Sequence, residues 1–412
     1  MKTLNLITFA SELNKQGSIR TSHQDLFTTL EQKYVVNSVD PKAIDTLKKE
    51  ELQLVFISSG GVEFSFKSHY EKLPKPLYLL TDGLQNSLAA SLEINTWARQ
   101  QGMPCHIIHG NSEKILQEID DYQKLYTYKN ALQGQRIGVI GQPSAWLIAS
   151  GVNYLEAKNR WGVEFVDVSL DDVDKNYEKI EDHEVASLVD TFVSKAKSCK
   201  EPNRADIVKA YRLYKAIRHV CTLHQLDAIT IQCFGLIPTT GTTGCLALAL
   251  LNDEGIIAGC EGDLQTVFTL LIAKAITGQT GFMCNPSQID SSTNTMLLAH
   301  CTIGLKQTTK YVIRTHFESE SGVAIQGVLP DGNFTLLKCG GTNLDEYFVS
   351  PAQLIENTDF NNVCRTQVRL HLDESTSYFL NNPIGNHHVL IHGNYAEKIS
   401  QFFEENRLKH IK

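Results

Sequence analysis

Between residues 4 and 132 the chain alternates short apolar runs with longer amphipathic stretches. Leu52-Gln-Leu-Val-Phe-Ile57 ends in Ser-Ser-Gly60-Gly61, Leu77-Tyr-Leu-Leu80 ends in Thr-Asp-Gly, and Pro104-Cys-His-Ile-Ile108 ends in His-Gly-Asn. A helical pattern from about Asn86 to Gln101 separates the last two. Short apolar strands that end in Gly or small polar residues and are spaced by helices predict a parallel sheet of the doubly wound type. A second unit of this kind begins at Gln135-Arg-Ile-Gly-Val-Ile-Gly141 and continues through Val163-Glu-Phe-Val-Asp-Val168. Two polar helices over about 176–198 and 203–224 follow, then Ala228-Ile-Thr-Ile-Gln-Cys233, a short helix from Thr243 to Leu251, and Ile256-Ile-Ala-Gly-Cys260. A long apolar helix pattern starts near Asp263 and stops at Gly278.

After His300 the pattern changes. Tyr311-Val-Ile-Arg-Thr, Gly322-Val-Ala-Ile-Gln, Phe334-Thr-Leu-Leu-Lys-Cys, Cys364-Arg-Thr-Gln-Val-Arg-Leu-His-Leu and His388-Val-Leu-Ile are short strands bounded by Gly, Asp and Asn turns, the mark of an antiparallel sheet or small barrel. The expected architecture is α/β: two doubly wound parallel-sheet (Rossmann-like) domains, 1–133 and 134–303, followed by a C-terminal antiparallel β-rich, barrel-like domain, 304–412, that ends in a charged helix from about Ala396 to Lys409.

Composition narrows the function classes. The 412 residues include 38 basic and 46 acidic side chains, a formal charge of −8, with both signs scattered, which argues against binding nucleic acid or an anionic membrane and for a small polar ligand. The ten cysteines include no C-x-x-C pair, and several of them, Cys105, Cys233, Cys245 and Cys260, lie in runs that read as buried strands or helices, so the cysteines read as reduced core residues and not as a disulfide or zinc framework. The first dozen residues lack the continuous apolar segment of a secretory signal, and no run reaches the roughly 18 apolar residues of a membrane helix. A cytoplasmic location is expected.

Ligands of doubly wound sheets bind at the carboxyl ends of the strands, where Glu261 follows Gly-Cys. By itself Glu261 reads as an acid favoured by the helix dipole, with Asp263 as the N-cap. Asn285 precedes Pro286 in an extended context and reads as an Asx-turn residue, although its carbonyl oxygen can coordinate a hard cation less strongly than a carboxylate does. His300 ends the apolar run Met296-Leu-Leu-Ala, where a lone histidine is commonly a hydrogen-bonded core residue. His387 and His388 would point to opposite faces of a strand, so one of them at most faces a given pocket; His388 is the better candidate, because the apolar strand Val-Leu-Ile follows it directly. His316 in Arg-Thr-His-Phe-Glu-Ser-Glu reads equally as a pocket group or a solvated hairpin end. Gln232, Trp146 and Glu63 are further polar candidates. Neither Gly134-Gln-Arg-Ile-Gly138-Val-Ile-Gly141 nor Thr239-Thr-Gly-Thr-Thr-Gly has the order of a phosphate-binding loop, which weakens a nucleotide-dependent reading, and a G-x-S-x-G elbow is absent. Taken together, Glu261, Asn285, His300 and the histidine pair look like a hard-metal site assembled from distant segments.

In order along the chain, Cys-Glu261-Gly-Asp-Leu, Phe-Met-Cys-Asn285-Pro-Ser, Leu-Ala-His300-Cys and Gly-Asn-His-His388 resemble motifs of the L-fucose isomerase and L-arabinose isomerase superfamily. Ser-Gly-Gly-Val-Glu63 and Asn86-Ser-Leu-Ala-Ala-Ser-Leu-Glu93 resemble its first-domain motifs. The resemblance implies two α/β domains and a β-rich domain, assembled as homo-trimers or hexamers, and an aldose–ketose isomerase that uses a divalent ion, usually Mn2+, on an open-chain sugar. By position Glu261 matches the first acidic ligand and acid/base group, Asn285 the second acidic position, and His300 and His388 the metal-binding histidines. His387 is then a neighbouring sugar-binding group, with His316, Gln232 and Trp146 as further candidates. Asn285 departs from the Asp usual in such isomerases, which weakens metal binding and removes an acid/base partner. The alternative is a relative that binds sugar, or regulates in response to it, without efficient turnover.

Overall fold

The computed structural model describes residues 2–11, 16–48, 51–75, 77–101, 103 and 105–412; Pro104 of the predicted strand lies outside them. They form two compact units, Met1–Asn130 with Glu405–Arg407 and Ala131–Glu404 with Leu408–Lys412.

In the first unit β1 (Lys2–Phe9), β2 (Tyr34–Val39), β3 (Leu52–Ile57), β4 (Leu77–Leu80) and β5 (Cys105–Ile108) make a wholly parallel sheet in the order β2-β1-β3-β4-β5. Strand periodicity sorts its side chains cleanly. Leu4, Leu6, Leu54, Phe56, Tyr78 and Leu80 belong to one core, while Ile7, Phe9, Val55, Ile57, Leu77 and Leu79 belong to the other. Burial on both faces is why these strands read as continuous apolar runs rather than as an alternation.

The second unit starts with β6 (Arg136–Ile140), β7 (Glu164–Val168), the two-residue β8 (Ser198–Cys199), β9 (Ala228–Ile231) and β10 (Ile257–Gly259). Four of these pair in parallel in the order β10-β9-β6-β7. The helix Arg204–Leu223 agrees with the sequence pattern and begins at a capping box of Asn203 and Asp206. The predicted helix over 176–198 is instead two helices, Leu170–Tyr177 and Ala186–Lys195. Ser169 caps the first, and a second capping box, Glu181 with Glu184, opens a short 3-10 turn between them that breaks the run.

Beyond these lie β11 (Phe282–Asp290), β12 (Thr295–His300), β13 (Lys310–Arg314), β14 (Ala324–Val328), β15 (Asn333–Gly340), β16 (Glu346–Asn357), β17 (Thr366–Leu372), β18 (His388–His392) and β19 (Lys409–His410). Six of them close into an antiparallel barrel, β15-β18-β11-β12-β17-β16 and back to β15, with β19 added in parallel along β16. Two of the strands predicted after His300 are not in it. β14 pairs with β13, and β13 with β8, in a small separate sheet, and the barrel is completed by β11 and β12 from before His300. The turn Ser291-Ser-Thr-Asn294 between them, with Asn294 at φ 52°, makes them a hairpin.

Between the parallel sheet and the barrel runs the helix Leu264–Thr277, buried at every position from Leu264 to Ala273. A helix that is apolar all round needs cover on all sides. Here β9 and β10 pack on it from one architecture and β15 and β18 from the other. Among the described residues no single helix is long and apolar enough to cross a membrane.

Candidate metal centre

Glu261 sits two residues beyond β10, in a turn where it and Gly262 both take left-handed backbone, at φ 63° and 74°. Such a conformation is uncommon for a residue with a Cβ and is held only where the surroundings fix it. Here Ser144 N donates to Glu261 O at 2.9 Å and Asp263 N to Cys260 O at 3.2 Å. Asp263 then caps the helix Leu264–Thr277, accepting from Thr266 N at 2.8 Å.

The turn aims the Glu261 carboxylate at the ends of two barrel strands. His300, the last residue of β12, lies with Nε2 3.9 Å from Oε1; His387, one residue before β18, has Nε2 3.6 Å from the same oxygen. The three donor atoms lie within 4.8 Å of one another, and the two imidazole centroids are 5.4 Å apart. Ligands each about 2.1 Å from a divalent ion stand roughly 3 Å apart when adjacent and about 4.2 Å when opposite, so the spacing suits one ion with little adjustment.

The adjacent histidines do point to opposite faces, but the choice between them reverses. His388 turns away from Glu261, packs edge-on against Phe348 and Tyr378 and tilted against Phe379, and uses both ring nitrogens. Tyr378 Oη accepts from Ile384 N, so its proton goes to His388 Nε2 at 3.0 Å, and Nδ1 is left to donate to Asn386 O at 3.2 Å. Burial, with the Lys338 charge nearby, pushes this imidazole down to about 3. It is a neutral core group with no lone pair to offer. His387 is the opposite case: Nδ1 meets Asp263 Oδ2 at 3.0 Å, while Nε2 is buried and makes no hydrogen bond. An orphaned buried nitrogen facing a carboxylate calls for an explanation, and a bound cation supplies one.

Charge leads to the same place. Burial alone would raise the Glu261 carboxyl, but His387, His300 and a 2.6 Å hydrogen bond from Trp146 Nε1 to Oε2 hold it down at about 2. His300 is pushed down to about 4, first by burial and then by the neighbouring His387. Burial likewise works against charge on Asp263, which the Lys338 ammonium and His387 nevertheless keep well below the usual carboxylate range. Two carboxylates thus converge on the buried His387 ring; burial works against its charge, Asp263 and Glu261 raise its pKa, and a cation at Nε2 would take the place of the ring's second proton.

A cavity of about 210 Å³ opens beside Glu261, lined among others by Asn285, His300 and His316. Asn285 Oδ1 accepts from Asn386 Nδ2 at 3.2 Å, and a β-bulge between Pro286 and Gln288 bends β11 just beyond it. His316 is buried with Nδ1 beside Ser319 Oγ at 3.1 Å, so it is not a solvated hairpin end. Trp146, half exposed, reaches Glu261 from outside. Gln232 is absent from the described cavity lining and packs against Gly141. Glu63 begins the helix Glu63–His69 of the first unit.

Composition-level reasoning missed three members. Asp263 is both cap and partner of His387, and Thr266 and Lys338 stand behind it. The available signal was a lysine inside the apolar run Phe334-Thr-Leu-Leu-Lys-Cys on a strand with almost no exposed position. Cys233, Cys245, Cys260, Cys301 and Cys364 also line the cavity, and all ten cysteines are free. Cys199 is exposed and Cys364 partly so, the other eight buried. A colorimetric disulfide reagent should therefore titrate Cys199 fast and Cys364 slowly in the native chain, and the remaining thiols only after denaturation; a third fast thiol would contradict this burial.

No protein-family model matches the chain. It is similar to sulfoquinovose isomerase of Priestia aryabhattai, at 21% identity over 356 residues, 81% of this chain and 79% of that one, and equally to sulfoquinovose isomerase of Priestia megaterium (strain ATCC 12872 / QMB1551). A sulfoquinovose isomerase of Clostridium sp. (strain MSTE9) is 27% identical over 154 residues, 33% of this chain and 34% of that one. Among solved structures, D-threo-3-hydroxyaspartate dehydratase from Delftia sp. HT23 aligns over 95% of this chain and 83% of its own at 9% identity and a TM-score of 0.16, at which no likeness of fold is read.

Proposed function

We propose that the chain is a metal-dependent aldose–ketose isomerase of the L-fucose and L-arabinose isomerase type, acting on an open-chain sugar through an enediolate. The observation that carries this is the pair of imidazole nitrogens, His300 Nε2 and His387 Nε2, facing one oxygen of Glu261 beside a polar cavity. Similarity to sulfoquinovose isomerases over four-fifths of the chain supports a sugar isomerase.

In this reading Glu261, His300 and His387 hold a divalent ion, Mn2+ by the family resemblance. When bound, it supplies a Lewis acid that lowers the cost of the negative charge developing on the sugar's oxygens. Glu261 takes the proton from C2 of the aldose and returns it to C1, while the hydroxyl proton of O2 passes to O1, and the reverse direction uses the same carboxylate. Trp146 steadies the other Glu261 oxygen, so that Oε1 faces the site. The Asn285 amide and the His316 ring lie where they can bind sugar hydroxyls. On the same reading the protein assembles as a homo-oligomer, a trimer or hexamer.

Asn285 favours a second reading, a sugar-binding relative with little turnover, because a neutral amide offers neither the charge nor the proton capacity of a carboxylate. The two separate in one experiment. With Mn2+ in deuterated water, an isomerase exchanges the C2 proton of at least one sugar in a panel that includes sulfoquinovose and neutral aldoses. Binding of a panel sugar without exchange of any would instead establish the second reading.

A further inference from the structure

We infer that Lys338 and Thr266 are positioning residues which fix the ring nitrogen that His387 presents to Glu261, an assignment that rests on the metal-dependent reading. Lys338 is fully buried on β15. Its ammonium donates to Thr266 Oγ1 at 2.6 Å and lies 3.8 Å from Asp263 Oδ2. Thr266 Oγ1 is in turn 2.8 Å from Asp263 Oδ2 and 3.5 Å from His387 O.

Proton counting sets the direction of every bond in this chain. An ammonium has donors only, so Thr266 Oγ1 accepts from Lys338 and has one proton left to give. That proton goes to the nearer and charged acceptor, Asp263 Oδ2. An ionised carboxylate accepts only, so His387 must carry its proton on Nδ1 to use the 3.0 Å contact. In the neutral ring Nε2 then keeps a lone pair, and it lies 3.6 Å from Glu261 Oε1. A carboxylate behind an imidazole is the usual means of setting its tautomer and orientation at a metal. What this chain adds is a buried ammonium and hydroxyl, delivered from the barrel and the helix start, which hold that carboxylate's accepting oxygen in place behind the ring.

Helix capping alone does not account for the arrangement. Asp263 caps through Oδ1 and Thr266 N, and that bond needs neither the Thr266 hydroxyl nor an ammonium. Placing a lysine at 0% exposure carries a large desolvation cost, which a structural role could avoid with an apolar residue of similar volume.

The test is Mn2+ affinity, measured by electron paramagnetic resonance and calorimetry on the full chain, with circular dichroism to confirm folding. Thr266→Val keeps the side-chain shape but removes the hydroxyl, Thr266→Ser restores it, and Lys338→Met removes the charge. Expected are a 10- to 100-fold weaker affinity, about the usual loss for a supporting partner of a metal ligand, for Thr266→Val and Lys338→Met, and near-normal affinity for Thr266→Ser. Should Lys338→Met not fold, the two Thr266 variants decide the matter. Unchanged affinity in Thr266→Val, or an equal loss in Thr266→Ser, overturns the assignment while the metal-dependent reading stands. Absence of Mn2+ binding by the unaltered chain overturns that reading and the assignment together.

Discussion

Glu261→Gln should lower the rate of C2 proton exchange by about 10²- to 10⁴-fold, the usual worth of a positioned acid–base group, while the far-ultraviolet spectrum is unchanged. The substitution keeps the size of the side chain, and the amide oxygen can still accept from Trp146 Nε1, now 2.6 Å from the carboxylate. What it removes is the charge that His300 and His387 face. Mn2+ affinity should fall as well, since a neutral amide replaces the one anionic donor of the three. The measurement is deuterium incorporation by proton NMR, with whichever sugar the unaltered protein exchanges. A variant that retains exchange within tenfold would remove Glu261 from the proton-transfer step.

The second large effect concerns the backbone beside it. Gly262→Ala places a Cβ at φ 74°, 2.6 Å from Gln142 O and 2.7 Å from Pro143 Cα, both rigid backbone atoms. Left-handed backbone costs a residue with a Cβ about 1–2 kcal/mol, and the overlap forces the turn to move in addition. We expect a loss of about 2 kcal/mol or more in stability, read as a lower urea midpoint at constant slope. Exchange should fall roughly 100-fold, because displacement of a catalytic group by about 1 Å can cost that much. Gly278→Ala is the matched control: the same helix ends there at φ 77°, with nothing within 4 Å of the added Cβ. It should lose about 1–2 kcal/mol and leave exchange intact. Equal effects of the two variants on exchange would mean that the Glu261 turn carries no special constraint.

Periodicity showed the class of fold because strands buried on both faces and strands with turns between them write different patterns. It could not show where two strands would be recruited. β11 and β12 carry the apolar runs Phe282-Met-Cys and Met296-Leu-Leu-Ala, which suit a parallel sheet or a barrel alike, and only their hairpin turn and the register with β17 and β18 settle it. The same limit applies within the site. That His387 and His388 diverge follows from strand geometry; which of them meets Glu261 depends on what each face holds, a carboxylate pair on one side and three aromatic rings on the other. Gln232 follows β9 just as Glu261 follows β10, yet its side chain packs beside Gly141, whose missing Cβ leaves room for it. Asp263, Thr266 and Lys338 come from a helix start and a strand more than seventy residues apart, and local sequence carries no information on that meeting.

Glu261 hangs from an edge strand of one sheet, and His300 and His387 from strands of another with which it shares no backbone ladder. The three donors therefore sit across a seam, and their separation gauges how tightly the two sheets are joined. Any occupant that touches all three acts as a rivet. At one hundred times its dissociation constant, a ligand specific for the folded state adds about 2.7 kcal/mol, so the melting temperature of this protein doubles as an occupancy meter, legible before any substrate has been identified.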